Sequence, residues 1–151
     1  SNAIKAVAKL EGWGKAETDA VILGHVSEAH QTVITQYLAE NTDQGLSDAE
    51  NYRKNHPGEM TLNANKAMIT AIRDKEVFLK SDKLSDDILA GSKDWTVALA
   101  KVTDRVVKAE TLSMLYTKSR IENYGRAERV RRQENTIYDI VVQAGCRTAV
   151  D

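Results

Sequence analysis

The side chains with most to offer chemically lie close together in Gly24-His25-Val26-Ser27-Glu28-Ala29-His30. His25 and Glu28 are three residues apart, so on a helix both reach one face and can approach a single ion. His30 is five residues from His25 and turns to a different side. A helical zinc protease needs two histidines four apart with a glutamate beside the first. A di-iron bundle needs two Glu-x-x-His pairs. The sequence has neither pattern. His30 also falls on an apolar stripe, where a core histidine bonded to a neighbour is the plainer expectation. A metal-dependent enzyme centred on His25 and Glu28 is therefore the weakest of the readings taken up below.

Other reactive groups give less. Asp82, Asp86 and Asp87, like Glu122, Glu128 and Glu134, are plentiful carboxylates that nothing in the sequence pairs across a cleft, so they read as solvated surface. No Gly-x-Ser-x-Gly elbow is present. No Gly-x-x-x-x-Gly-Lys loop or strand-borne Gly-x-Gly-x-x-Gly loop is present to cradle phosphate. Cys146 is the single cysteine, which excludes an intrachain disulfide and a multi-cysteine zinc site; near a helix end it reads as a small buried or frayed residue. No cofactor and no catalytic residue is expected.

Charge is more informative. Six cations crowd Lys118 to Glu134 (Lys118, Arg120, Arg126, Arg129, Arg131 and Arg132) against Glu122, Glu128 and Glu134, so the stretch is net positive in a chain of net charge -1. Arginine suits planar recognition of phosphate or carboxylate. On one reading, Arg126, Arg129 and Arg132 lead an anion-binding or partner-binding face, with nucleic acid as one anion of that kind. On the other, Glu122–Arg126 and Glu128–Arg132 are favourable i,i+4 pairs that serve the helix itself.

Helices must position all of these groups. One Pro, eight Gly and 5% aromatic content leave long stretches of good helix formers. Between Glu17 and Glu40, Ala20, Leu23, Val26, His30, Val33, Ile34, Tyr37 and Leu38 recur at helical steps. Residues 4–15 continue apolar, but Gly12 and Gly14 weaken the helix there, so the first helix is expected either to be broken at the glycines or to start properly near Lys15. Asn41 to Gly45 reads as a stop, and Ser47 with Glu50 as a capping box opening a short helix. That helix should end by Asn55, because His56 precedes Pro57.

Thr61 is the expected cap of a helix carrying Ala64, Ala67, Met68, Ala71, Ile72, Phe78 and Leu79. The polar run from Ser81 to Asp87 should interrupt it, with a single turn around Ile88 and Leu89 closed by Gly91. Ser92 should then cap a helix carrying Trp95, Leu99, Val102, Val106, Ala109, Leu112, Leu115 and Tyr116. A last segment over 119–144 carries Ile121, Tyr124, Val130, Ile137, Tyr138 and Val141, with Gly145 as its C-cap. Only Gly125 separates these last two segments, so one very long helix is an alternative to two.

These elements predict an all-α fold: a single-domain antiparallel bundle of four main helices plus one or two short ones. Ser1-Asn2-Ala3 reads as the scar of a removed expression tag, which sets the domain at 4–151. Ile4 rather than Met follows, so a signal peptide, membrane anchor or further domain is expected to precede it naturally. No apolar run approaches the ~20 residues of a membrane helix. The reading is a non-enzymatic helical-bundle interaction module, extracytoplasmic (periplasmic or secreted), that contacts a protein partner or small ligand. Nucleic-acid binding through the basic C-terminal helix stands second.

Overall fold

The chain is all-α: 87% of it is helical, with no strand among the described residues. The structure, a computed structural model, describes residues 1–91 and 94–150, with side chains to residue 144. Among the described residues six helices follow in order: α1 (Asn2–Glu11), α2 (Lys15–Ala39), α3 (Asp43–Asn55), α4 (Leu62–Ala90), α5 (Trp95–Ala100) and α6 (Arg105–Val150). They form two compact units, Ser1–Lys80 and Ser81–Asp151, and the division falls inside α4. Among the described residues no helix is long and apolar enough to cross a membrane.

In the first unit the glycine break stands where the sequence put it. Gly12 takes the left-handed conformation (φ 70°), and the Trp13 N–H closes α1 onto the Ala8 carbonyl at 2.9 Å. Glu17 then reaches back to accept from the Gly14 N–H at 3.2 Å, which starts α2. Asn2 and Ala3, assigned to the scar, lie in α1.

The start of α3 differs from the expectation. Thr42, not Ser47, is the N-cap, its hydroxyl accepting from the Gly45 N–H at 3.0 Å. Asn41 absorbs the reversal with φ 53°, so the stop signal and the next start share the same few residues. Asn55 does end α3, and Thr61 does cap α4, accepting from the Ala64 N–H at 3.2 Å. The core of this unit joins Ile34 and Leu38 of α2, Ala49 of α3, Met60, and Ala64, Met68 and Ile72 of α4. Tyr37, Leu46 and Tyr52 close its edges.

In the second unit α4 does not stop at Ser81 but runs to Ala90. Ser81 and Ser85 are fully buried, one hydroxyl donating to the Val107 carbonyl at 3.2 Å and the other to Asp82 O at 2.8 Å. Ser81, Leu84, Ser85 and Ile88 therefore make a helical face in which two small hydroxyls occupy core positions with their hydrogen bonds satisfied.

Ser92 lies outside the described residues. Asp94 caps α5 through the Thr96 N–H at 2.8 Å, and α5 ends at Ala100. Asp104 then caps α6 through the Val106 N–H at 2.9 Å, so the helix expected from Trp95 to Tyr116 is two. From Arg105 onward the long-helix alternative is the one found. α6 passes through Gly125 and Gly145 without a break, so Gly145 is not a cap. Ile88, Leu99 and Leu115 form this unit's buried cluster, and Trp95 meets Tyr116 edge-on at 5.3 Å.

Candidate functional site

His25 and Glu28 do share a face, but loosely. His25 Nδ1 stands 3.9 Å from Glu28 Oε2, both side chains are well exposed, and no third ligand group joins them among the described residues. The expectation for His30 holds as far as it went. It packs on the inner side of α2 and bonds Tyr52 of α3, Nδ1 to the phenolic oxygen at 2.8 Å. What the sequence did not bring to it is His56 and Glu59.

Those two residues are placed by a turn. His56-Pro57-Gly58-Glu59 has proline second and a glycine at φ 75° third, with the Glu59 N–H bonded back to the His56 carbonyl at 3.4 Å. These are the marks of a type II turn, which sets its first and fourth residues side by side. His56 Nδ1 lies 2.6 Å from Glu59 Oε2, and the same oxygen is 3.1 Å from His30 Nε2. The rings of His30, Tyr52 and His56 pack in tilted pairs at centroid distances of 4.3 to 5.6 Å. His30 is nearly buried (12% side-chain exposure) while Glu59 is half exposed, so a fixed ring faces a movable carboxylate. Beside His56 opens a cavity of about 430 Å³ whose wall includes Arg53, Met60 and Asn65. Arg53 Nη1 donates to Asn65 Oδ1 at 3.5 Å, and its Nε is buried with no partner.

The basic stretch divides once the helix is formed. Lys118 is held by α4: its ammonium donates to Asp82 Oδ1 at 2.7 Å, Asp86 Oδ1 at 2.8 Å, Ser85 Oγ at 2.7 Å and Asp82 O at 3.1 Å. Two carboxylates that read as surface are thus a clamp. Burial, the largest single influence, pulls the Lys118 pKa down. The hydrogen bonds and charges of Asp82 and Asp86 together outweigh it, and the pKa ends above the ordinary 10.5.

A raised lysine pKa means stability that is fully present below 10.5 and is lost as pH rises through the folded-state value. Lys118→Met is therefore expected to cost about 1 kcal/mol at neutral pH, as a half-exposed ion pair would. Urea unfolding should show the gap between wild type and variant closing in strongly alkaline buffer. A gap that persists there would assign Lys118 a packing role instead.

Further along α6, Arg126 pairs with Glu122 at 3.3 Å, as the spacing predicts. Glu128 pairs with Arg131 at 2.5 Å rather than with Arg132. Arg120, Arg129 and Arg132 have no carboxylate within ion-pair distance among the described residues. From Arg120 to Ala144 no side chain is buried. Ile121, Tyr124, Val130, Ile137, Tyr138 and Val141 all stand in solvent there. The side chain of Cys146 lies outside the described residues. Compared with protein-family models, curated proteins and solved structures, the chain matches none.

Proposed function

We propose that this chain is a non-enzymatic protein-interaction module whose contact element is the second half of α6. The observation that carries the reading is that no described side chain from Arg120 to Ala144 is buried, in a stretch rich in large apolar residues. Helices are held in proteins mainly by packing an apolar face, and a contiguous apolar surface left open marks a contact site. Val130, Ile137, Val141 and Ala144 recur at steps of seven, four and three, the seam of a helix that pairs with another. Glu134 takes the one polar place in that seam. The segment is roughly 37 Å long at the rise of an α-helix, enough to lie in a helix-binding groove.

The charge around the seam names the occupant. Arg129 lies about 100° around the helix from the seam and Arg132 on its far side, and neither has a carboxylate partner among the described residues, so the element is positive outside its apolar seam, which suits a partner surface rich in carboxylates. A second copy in parallel register would oppose Glu134 to Glu134 within the seam. Nucleic acid is disfavoured because Lys118, Arg126 and Arg131 already answer carboxylates. The extracytoplasmic location expected from the sequence is part of the same proposal, and fractionation of the native protein tests it.

A photo-crosslinking residue at position 137, with Leu10 (87% exposed) as the control position, tests the interface in lysate of the source cells. Position 137 is expected to trap one protein that position 10 does not. Once purified, that protein should bind the intact chain, with affinity at least tenfold weaker for Ile137→Glu, about tenfold weaker for Arg129→Glu with Arg132→Glu, and falling with salt. Helicity should stay unchanged in both variants. Trapping only copies of itself, or equal labelling at both positions, would overturn the proposal.

A further inference from the structure

We infer that His30, His56 and Glu59 form a binding site for a divalent transition metal of the zinc type, independent of the α6 surface. Each residue offers one ligand atom, and the three atoms lie within 4.8 Å of one another. Two imidazoles and a carboxylate are the donor set that zinc takes where three protein ligands leave a fourth position to water. Zinc bonds of about 2.0–2.2 Å at tetrahedral angles place ligand atoms about 3.3 Å apart. His30 Nε2 and Glu59 Oε2, at 3.1 Å, already stand close to that spacing. His56 Nδ1 and Glu59 Oε2, at 2.6 Å, share a proton instead. A metal would displace that proton and widen the pair, and the half-exposed Glu59 side chain has the freedom to turn.

The surroundings fit a ligand set better than a plain ion pair. The Tyr52 hydroxyl at 2.8 Å from His30 Nδ1 occupies the ring nitrogen that faces away from Glu59. When His30 Nδ1–H donates to that hydroxyl, Nε2 carries the free lone pair toward the cluster. A partner on the outer nitrogen is what orients metal-bound histidines and fixes their tautomer. The turn supplies the other two ligands: Pro57 fixes φ at its second position and Gly58 admits the positive φ at its third, so the chain reversal that sets them side by side is already formed. His25 and Glu28, the pair the sequence favoured, have neither a third ligand nor a buried supporting group among the described residues.

Titration of the intact, metal-stripped chain with zinc chloride tests the site, and cobalt(II) reports its geometry through visible absorption. One equivalent of zinc is expected to bind, and the cobalt spectrum should show the intense bands of a four-coordinate ion. His56→Ala and Glu59→Gln alter exposed or half-exposed side chains and should each weaken binding at least tenfold with unchanged helicity. Tyr52→Phe should weaken it about tenfold by freeing the His30 ring. His25→Ala should leave it intact. No saturable binding, or binding that survives His56→Ala and Glu59→Gln but is lost in His25→Ala, would overturn the assignment.

Discussion

Gly45→Ala is expected to destabilise the first unit by about 1–3 kcal/mol, the cost of forcing atoms into a packed site. The sign is the opposite of the usual one, since alanine in place of glycine inside a helix ordinarily gains up to about 1 kcal/mol. Position 45 sits in the first turn of α3, where that helix passes the end of α2. A methyl group there would press into the Tyr37 backbone carbonyl oxygen and also meet Glu40, at 3.0 Å from its carboxylate and 3.1 Å from its Cβ. A side chain can swing away from such a clash. The Tyr37 carbonyl cannot, because it belongs to the last turn of α2. Gly24 is the matched control: it lies within α2, and a methyl group there meets nothing within 4 Å. Gly24→Ala should therefore raise the urea midpoint while Gly45→Ala lowers it. Two shifts of the same sign would mean that α3 does not approach α2 this closely.

That contrast shows where the sequence was legible. Local rules were enough wherever one residue decided the matter: Gly12 ended α1, Pro57 limited α3 to Asn55, and Thr61 capped α4. They failed where two signals overlapped or where a polar residue was buried. Asn41 to Gly45 carries both a stop and a start, and the glycine that read as part of the stop is there for close approach. Ser81 and Ser85 have the composition of a loop, yet their hydroxyls bond the backbone inside the fold. At Thr103-Asp104 a capping residue was present, but the apolar spacing on both sides hid it.

The histidine cluster was out of reach for a different reason. His30 and His56 lie on separate elements, and only the packing of α2 against α3 and the following turn brings them together. The signal that was available was local: a histidine and a glutamate at the ends of a Pro-Gly turn must lie side by side. The chain alone could not say that a third ligand on α2 would face them. Likewise, the i,i+4 spacing found the Arg126 pair but not the choice of Glu128 for Arg131 over Arg132, which rests on side-chain reach around the helix.

Leu115→Ala is expected to cost the second unit more than Ile34→Ala costs the first, although both side chains are fully buried. Truncating a core leucine or isoleucine to alanine costs about 2–5 kcal/mol, and the spread depends on how well the neighbours collapse into the space. The core around Ile34 includes Met60 and Met68, flexible side chains that can move into a void. Ile34→Ala should therefore fall at the low end, about 2–3 kcal/mol. Among the described residues Leu115 is clustered with Ile88 and Leu99, edged by Leu84, Leu89, Trp95 and Ala98, and none of these is as adaptable. Its loss should fall at the high end, about 4–5 kcal/mol, a large share of the stability a domain normally has. Hydrogen exchange locates the damage: in Leu115→Ala, amides of α5 and the first half of α6 should exchange much faster, while those around Ile34 change little. Equal acceleration throughout would show that the two compact units unfold as one, and that α4, which belongs to both, transmits the loss of either core to the other.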